Sequence, residues 1–323
     1  MRFHPVIRSL LPLSGILFAF GCGGEESGTL ARIREEGTFR IGTDATYPPF
    51  ATIDPTDETV VGFDADLMRR IGKEMGVAIR FEILSFDGIL AALRGGEVDA
   101  VISAMTITEE RAEEVLFSRP YHVAGQSLCI RDDASIQDFD DLRGRRIGVQ
   151  LGTTGERTAQ RVPNAEVVSF DAIGAAWIDL RNGRLDAVLT DTPTALVFCR
   201  RHPEIRIVGD PVAREWYGIA FRREDRGLKE EIDRILERLE EDGTLRELRL
   251  RYGMDCVSKI AAGLTRAWPA GHAQAFSSLQ STALPQPHLP LPSPADRLAL
   301  EEGWVLLPTG LPQAHPTLSV PAL

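Results

Sequence analysis

The sequence predicts an α/β fold with parallel-core sheets, and three observations predict it. From Thr38 onward short apolar strands alternate with amphipathic segments of helix length. Strands separated by helices pair in parallel, with helices covering both sheet faces. Four polar or aromatic clusters each follow the end of a strand, where open parallel sheets bind ligands. The chain of 323 residues is about twice the usual domain length, so one large or two modest domains are expected.

In order, "TFRIGTD" (38–44) is a strand, and "FDADLMRRIGKEMG" (63–76) a helix closed by Gly76. "VAIRFEIL" (77–84) is a strand, "DGILAALRGGE" (87–97) a short helix with a glycine exit, and "VDAVISAM" (98–105) a buried strand. The rhythm repeats as "GRRIGVQLG" strand, "TGERTAQRV" helix, "AEVVSF" strand, "AIGAAWIDLRNG" helix, "LDAVLTD" strand and "PTALVFCRRHP" helix. "REWYGIAFRRED" (214–225) is one more strand, followed by two charged amphipathic helices broken at Gly243. Half of the 20 prolines lie beyond residue 255, a density that opposes long helices and central strands. That tail is expected to be disordered, and its apolar stretches are too short for a membrane anchor.

Composition excludes some functions. A net charge of −11 argues against a basic nucleic-acid surface, although a local site can differ in sign from the whole. The cysteines have no metal-site spacing, and only His122 and His202 lie between the N-terminal segment and residue 271, so no metal or cofactor is expected. Both histidines read as surface or satisfied core residues. The first 21 residues, with Arg2 and Arg8 before an apolar run from Leu10 to Phe20, have the pattern of an export signal. Cys22 follows Gly21, as at the lipidation site of bacterial lipoproteins, although Ala19 and Phe20 depart from that pattern. The alternative is a secreted protein in which Cys22 falls there by chance. If Cys22 is lipidated, Cys129, Cys199 and Cys256 remain, an odd number that leaves at least one thiol unpaired.

The strand-end clusters are "DATYPPF" (44–50), "SAMTITEER" (103–111), "GVQLGTTGE" (148–156) and "LTDTPTA" (189–195). Arg111 can grip a carboxylate with two parallel charge-assisted hydrogen bonds; the plainer role is a surface ion pair with Glu110 or Glu114. Gly152, Thr153 and Thr154 form a turn into a helix whose first N–H groups attract anions, though threonine is also a common N-cap. No lysine follows these glycines at phosphate-loop spacing. Asp191 is an ammonium acceptor or the N-cap of a helix with Pro193 in its first turn, and one carboxylate can serve both. Tyr47 and Phe86 are cleft walls or core aromatics. A cation, hydroxyls, an acid and aromatic faces together describe a site for a free amino acid.

The ordered motifs "GTDATYPPF", "VGFDADL", "FDGILAAL", "GEVDAVISAMTITEER", "DLRGRRIGVQLGTTGE" and "GRLDAVLTD" resemble those of the periplasmic amino-acid-binding proteins of ABC importers, from about Thr38 to Tyr252. The resemblance implies a two-lobed periplasmic binding protein fold of type II, its two parallel-core sheets joined by a two-strand hinge. The chain would cross near Gly125–Cys129 and return near Glu215–Ala220. It implies a signal peptide at 1–21, a linker at 22–36, lobe 1 at 37–127 plus 218–255, lobe 2 at 128–217, and a proline-rich tail at 256–323. By motif, Arg111 with the backbone near Thr106 and Thr154 would hold the ligand carboxylate. Asp191, the Ala104 carbonyl and the Thr106 hydroxyl would hold its ammonium. Tyr47 and Phe86 would face the ligand, with Phe50 nearby, and Asp44 and Ser103 would lie near its side chain. Gly152 and Thr153 complete the expected set. Ala51 and Gly155 stand where many relatives carry other residues, which leaves the ligand side chain open between polar and cationic. The implied protein is a monomer, lipid-anchored in the periplasm or at the cell surface, which delivers an amino acid to an ABC permease. Two alternatives share the scaffold: a cyclohexadienyl or arogenate dehydratase, and an amino-acid sensor.

Overall fold

Why the chain puts Pro48-Pro49-Phe50 after its first strand is answered by the helix that follows. The computed structural model describes residues 28–254. In it the carbonyls of Pro49 and Phe50 accept the Phe63 and Asp64 N–H groups at 2.9 Å each, satisfying donors that a helix start leaves open. This close approach needs Gly62, whose φ is 129° and whose Cβ, if present, would lie 2.3 Å from the Phe50 carbonyl oxygen. "TYPPF" and "VGFDADL" are therefore two halves of one structural unit.

The elements in chain order begin with α1 (Gly28–Glu36), β1 (Thr38–Thr43), β2 (Thr46–Tyr47), β3 (Ala51–Ile53), β4 (Val60–Val61) and α2 (Phe63–Met75). There follow β5 (Ala78–Ile83), α3 (Ile89–Gly95), β6 (Ala100–Val101), α4 (Glu109–Glu114), β7 (Leu116–Phe117) and β8 (His122–Arg131). Next come β9 (Arg146–Gln150), α5 (Thr154–Gln160), β10 (Glu166–Phe170), α6 (Ile173–Arg181), β11 (Ala187–Asp191) and α7 (Thr192–Arg201). The described residues close with β12 (Ile205–Val208), β13 (Arg214–Tyr217), β14 (Ala220–Phe221), α8 (Arg226–Glu241) and α9 (Thr244–Arg251).

Two sheets make two lobes. The first has the order β5-β1-β6-β14-β7, with β5, β1 and β6 parallel and β14 antiparallel to its neighbours. The second has the order β10-β9-β11-β8-β12; β9, β10 and β11 are parallel and β8 is antiparallel to β11 and β12. A small antiparallel sheet, β2-β3-β4, carries the proline turn. The parallel cores follow the sequence rhythm. The antiparallel strands come from the chain passing between lobes, which no local periodicity records.

The lobes are joined by two crossing strands. The first half of β8 pairs antiparallel with β13, from His122 opposite Tyr217 to Gly125 opposite Arg214, and its second half enters the second sheet. The crossing thus lies a few residues before the expected Gly125–Cys129. "REWYGIAFRRED" is two short strands: β13 belongs to the crossing pair, and β14 enters the first sheet beyond Gly218. The linker expected over 22–36 is helical from Gly28, because Leu30 and Ile33 find a core to enter. Helix α8 buries Leu228, Ile232, Ile235, Leu236 and Leu239 along one face, each contributing about 1.5–3 kcal/mol. Gly243, at φ 81°, ends α8 and admits α9 as the sequence predicts. The export signal, Cys22, Cys256 and the tail lie outside the described residues.

Candidate functional site

The first lobe's wall starts where β6 ends. Ser103, Ala104 and Thr106 follow it, and Ala104 takes a left-handed backbone, φ 45°, unusual for a residue with a Cβ. Asp64, in the first turn of α2, holds it there by accepting the Ala104 N–H at 2.8 Å. Asp64 is fully buried, and that burial pushes its carboxyl up to about 7 against the opposing pull of the Ala104 N–H. Thr108 caps α4 by accepting the Arg111 N–H at 3.2 Å, so the helix begins with Arg111 turned inward.

Arg111 is no surface ion pair. It is 5% exposed, and its Nη1 donates to the Thr106 carbonyl at 2.8 Å. Its Nη2 crosses to the second lobe and donates to the Gly152 carbonyl at 3.0 Å. The guanidinium carbon lies 5.3 Å from the Phe86 ring centroid, a cation–π contact. Burial, then repulsion from Arg157, lowers its pKa to about 10, still a cation at neutral pH. Glu110 pairs with Arg157, and Glu114 with Arg94 at 2.5 Å, so neither neighbouring acid neutralises Arg111.

Asp191 ends β11 and stands at the N-cap of α7, yet its side chain makes no cap hydrogen bond. Its Oδ2 instead accepts from the Tyr217 hydroxyl at 2.5 Å. Tyr47 reaches across from the first lobe, its hydroxyl 2.8 Å from Thr190 Oγ1 and accepting the Asp191 N–H at 3.3 Å. Glu215, on the crossing strand β13, accepts from Thr106 Oγ1 and Gln126 Nε2 at 2.9 Å each. Burial, then repulsion from Glu215, holds the Asp191 carboxyl far above the usual range; burial raises Glu215 as well. Two buried acids therefore face one buried guanidinium, and removing either charge's counterpart is costly.

These groups enclose a cavity of about 20 Å³, lined by Tyr47, Phe86, Ser103, Ala104, Thr106 and Arg111 from the first lobe. Gln150, Thr153, Thr154, Gly155, Leu189, Thr190 and Asp191 line it from the second. Nine of the expected residues thus meet at one gap. Three do not line it. Phe50 is fully buried behind Tyr47, its ring 5.3 Å from that of Tyr217, because the proline turn drives it into the core. Asp44 spends its carboxylate on the Thr46 N–H at 3.0 Å and on Gln150 Nε2 at 2.5 Å across the lobes. Gly152, at φ 75°, lets its loop lie against Asp87, and a Cβ there would come within 3.1 Å of the Asp87 Cα.

Sequence reasoning passed over Asp64, Gln150, Thr190, Glu215 and Tyr217. Gln150 and Thr190 stand within quoted strand ends, and a strand-end rule applied to every polar residue would have found them. Asp64 acts through the backbone of Ala104, and Glu215 enters through the crossing, so neither has a local signal. His122 is buried among Phe50, Phe63 and Tyr217, and neither ring nitrogen has a hydrogen-bond partner among the described residues. Burial, with Arg249 nearby, lowers its pKa to about 3, so it serves as a neutral core ring. Among the described residues no cluster of acids, histidines and cysteines could hold a metal.

The model of the bacterial extracellular solute-binding proteins, family 3, matches residues 39–255. The chain belongs to that family. Among similar family members, a putative ABC transporter arginine-binding protein 2 of Escherichia coli K12 is 35% identical over 213 residues, 64% of this chain and 87% of that one. A mutant of an arginine-binding protein from T. maritima superposes with a TM-score of 0.67 at 36% identity, covering 69% of this chain and 98% of the other. An ancestral amino-acid-binding protein, described as a precursor of cyclohexadienyl dehydratase, gives 0.66 at 37% identity, with 69% and 99% covered. This family-3 protein shares their two-lobed fold.

Proposed function

We propose that this protein is the extracytoplasmic binding protein of an amino-acid ABC importer, taking a free polar or cationic L-amino acid between its lobes. One observation carries the reading: Arg111 and Asp191, buried on opposite lobes, face a shared gap with charges complementary to a zwitterion. Arg111, with Thr106 and Thr154, holds the carboxylate through charge-assisted hydrogen bonds. Asp191 holds the ammonium, helped by the Ala104 carbonyl and the Thr106 hydroxyl. Tyr47 and Phe86 flank the side chain, which extends toward Ser103, Gln150 and, behind Gln150, Asp44. The Asp44 carboxylate behind Gln150, the aromatic faces of Tyr47 and Phe86, and the names of the arginine-binding relatives support a cationic side chain.

A gap of about 20 Å³ admits a water-sized group, so an amino acid enters only as the lobes part. Contacts made to both lobes then favour the closed state. The mature chain is a monomer, anchored through lipid on Cys22, that presents its closed form to the permease. It is a carrier and catalyses no reaction. Thermal-shift screening against the twenty amino acids tests the reading, since a ligand that binds the native state raises its melting temperature. A rise confined to one or a few polar or cationic amino acids is expected. No rise with any of them, or turnover of prephenate or arogenate, overturns it.

A further inference from the structure

Outside the cleft, two thiols meet inside the second lobe. Cys129 lies near the end of β8, opposite Val188 of β11 on one side and Ile207 of β12 on the other. Strand alternation sends Leu128 and Ile130 into the cluster that holds Ala159 of α5. Cys129 points to the other face, into the cluster of Ala176 and Trp177 of α6 and Ala195 of α7. Cys199, in the last turns of α7, packs down on that same cluster. Ala195 and Cys199, four residues apart, share the face of α7 that packs on β8, so the two thiols are close enough for each to shift the other's ionisation. Cys129 is fully buried and Cys199 half-buried, so only Cys199 is open to a reagent from outside.

We propose that Cys129 and Cys199 form a disulfide in the mature protein, tying α7 to strand β8 in the interior of the second sheet. The proposal rests on the reading that the chain is exported, since disulfides persist in oxidising compartments. The oxidant is a disulfide, either small or on an oxidoreductase. The Cys199 thiolate attacks one of its sulfurs, forming a mixed disulfide and releasing one thiol. Cys129 then gives up its proton and attacks the Cys199 sulfur, releasing the second thiol. Two protein thiols are oxidised and one external disulfide is reduced to two thiols. The neighbouring Cys129 thiol lowers the Cys199 pKa while burial raises that of Cys129, so the more accessible thiol ionises first. The same helix carries Asp191 at its other end, so the bond steadies the wall that holds the ammonium.

The full-length protein, isolated from the oxidising compartment, is digested without reductant. A linked pair of peptides containing Cys129 and Cys199 is expected, lost on reduction, with the intact mass lower by two hydrogens. In parallel, protein made reduced in the cytoplasm is exposed to oxidised glutathione and should form the same link. Reductant should lower the melting temperature of the oxidised protein by at least about 5 °C, as expected for a cross-link closing a long loop. C199S should melt with the reduced protein and ignore reductant. Quantitative alkylation of both cysteines in the denatured, unreduced protein overturns the proposal, as does a link from Cys199 to Cys256. If glutathione makes the bond and the cell does not, the export reading has failed; if neither does, the geometry has.

Discussion

Replacing Arg111 by alanine should weaken amino-acid binding more than any other single change in the cleft. Its guanidinium is 5% exposed and donates to carbonyls on both lobes, at 2.8 and 3.0 Å. A ligand carboxylate bound there loses its only cationic partner among the lining residues and stays buried. Truncating one member of a buried charge pair costs about 2–5 kcal/mol, or roughly 30- to 4000-fold in Kd. R111K keeps the charge and loses the planar fork, and it should fall between, at about 10- to 100-fold. Titration calorimetry with the amino acid found by thermal screening gives the affinities. The melting temperature of each free variant separates lost binding from lost folding, because R111A also removes the bond to Gly152 that spans the lobes. Less than about tenfold weakening in a well-folded R111A would refute the carboxylate role, and with it the zwitterion site.

Three further outcomes are expected. Asp64 titrates near 3.8 when unfolded and at about 7 when folded, so its contribution is full below the lower value and is lost as pH rises through the upper. Stability should therefore fall by about 4 kcal/mol from this group between pH 4 and 8, and D64N should flatten that slope in urea titrations; equal slopes would remove Asp64 as the cause. Because burial and Glu215 raise the Asp191 carboxyl, ammonium binding should expel a proton and tighten as pH rises. Binding heats should then differ between phosphate and Tris for the wild type, by less in E215Q, which keeps the burial but loses the repelling charge; identical wild-type heats would contradict this. G62A, which places a Cβ 2.3 Å from the Phe50 carbonyl oxygen, should cost about 3 kcal/mol or more. G76A, also at positive φ but with nothing within 4 Å, should cost about 1 kcal/mol, and equal melting shifts would show that the proline turn does not fix Gly62.

Much of the site was legible because each piece is carried by a local pattern. Thr108 before Glu109-Glu110-Arg111 signals a helix start, and the structure caps it as written. The apolar strand ending in Asp191 signals a ligand-facing strand end, and Asp191 is there. Asp44 and Phe50 do not line the gap, for a physical reason: residues a few places apart in one turn can point in opposite directions. Tyr47 points into the gap, Phe50 into the core, and Asp44 to its partners Thr46 and Gln150. Helix α1 was missed because a nine-residue segment is not stable alone and forms only where α8 and β1 give Leu30 and Ile33 a surface.

The sequence by itself determined the alternation of strands and helices, the family motifs and the residue types of the cleft, since periodicity, caps and charge act over a few neighbours. Only the tertiary structure decided that the crossing of β8 and β13 brings Glu215 beside Asp191, and that Asp64 holds Ala104 in its left-handed turn. Those contacts join residues far apart in the chain. Their energies come from shared burial, which no short stretch of sequence contains.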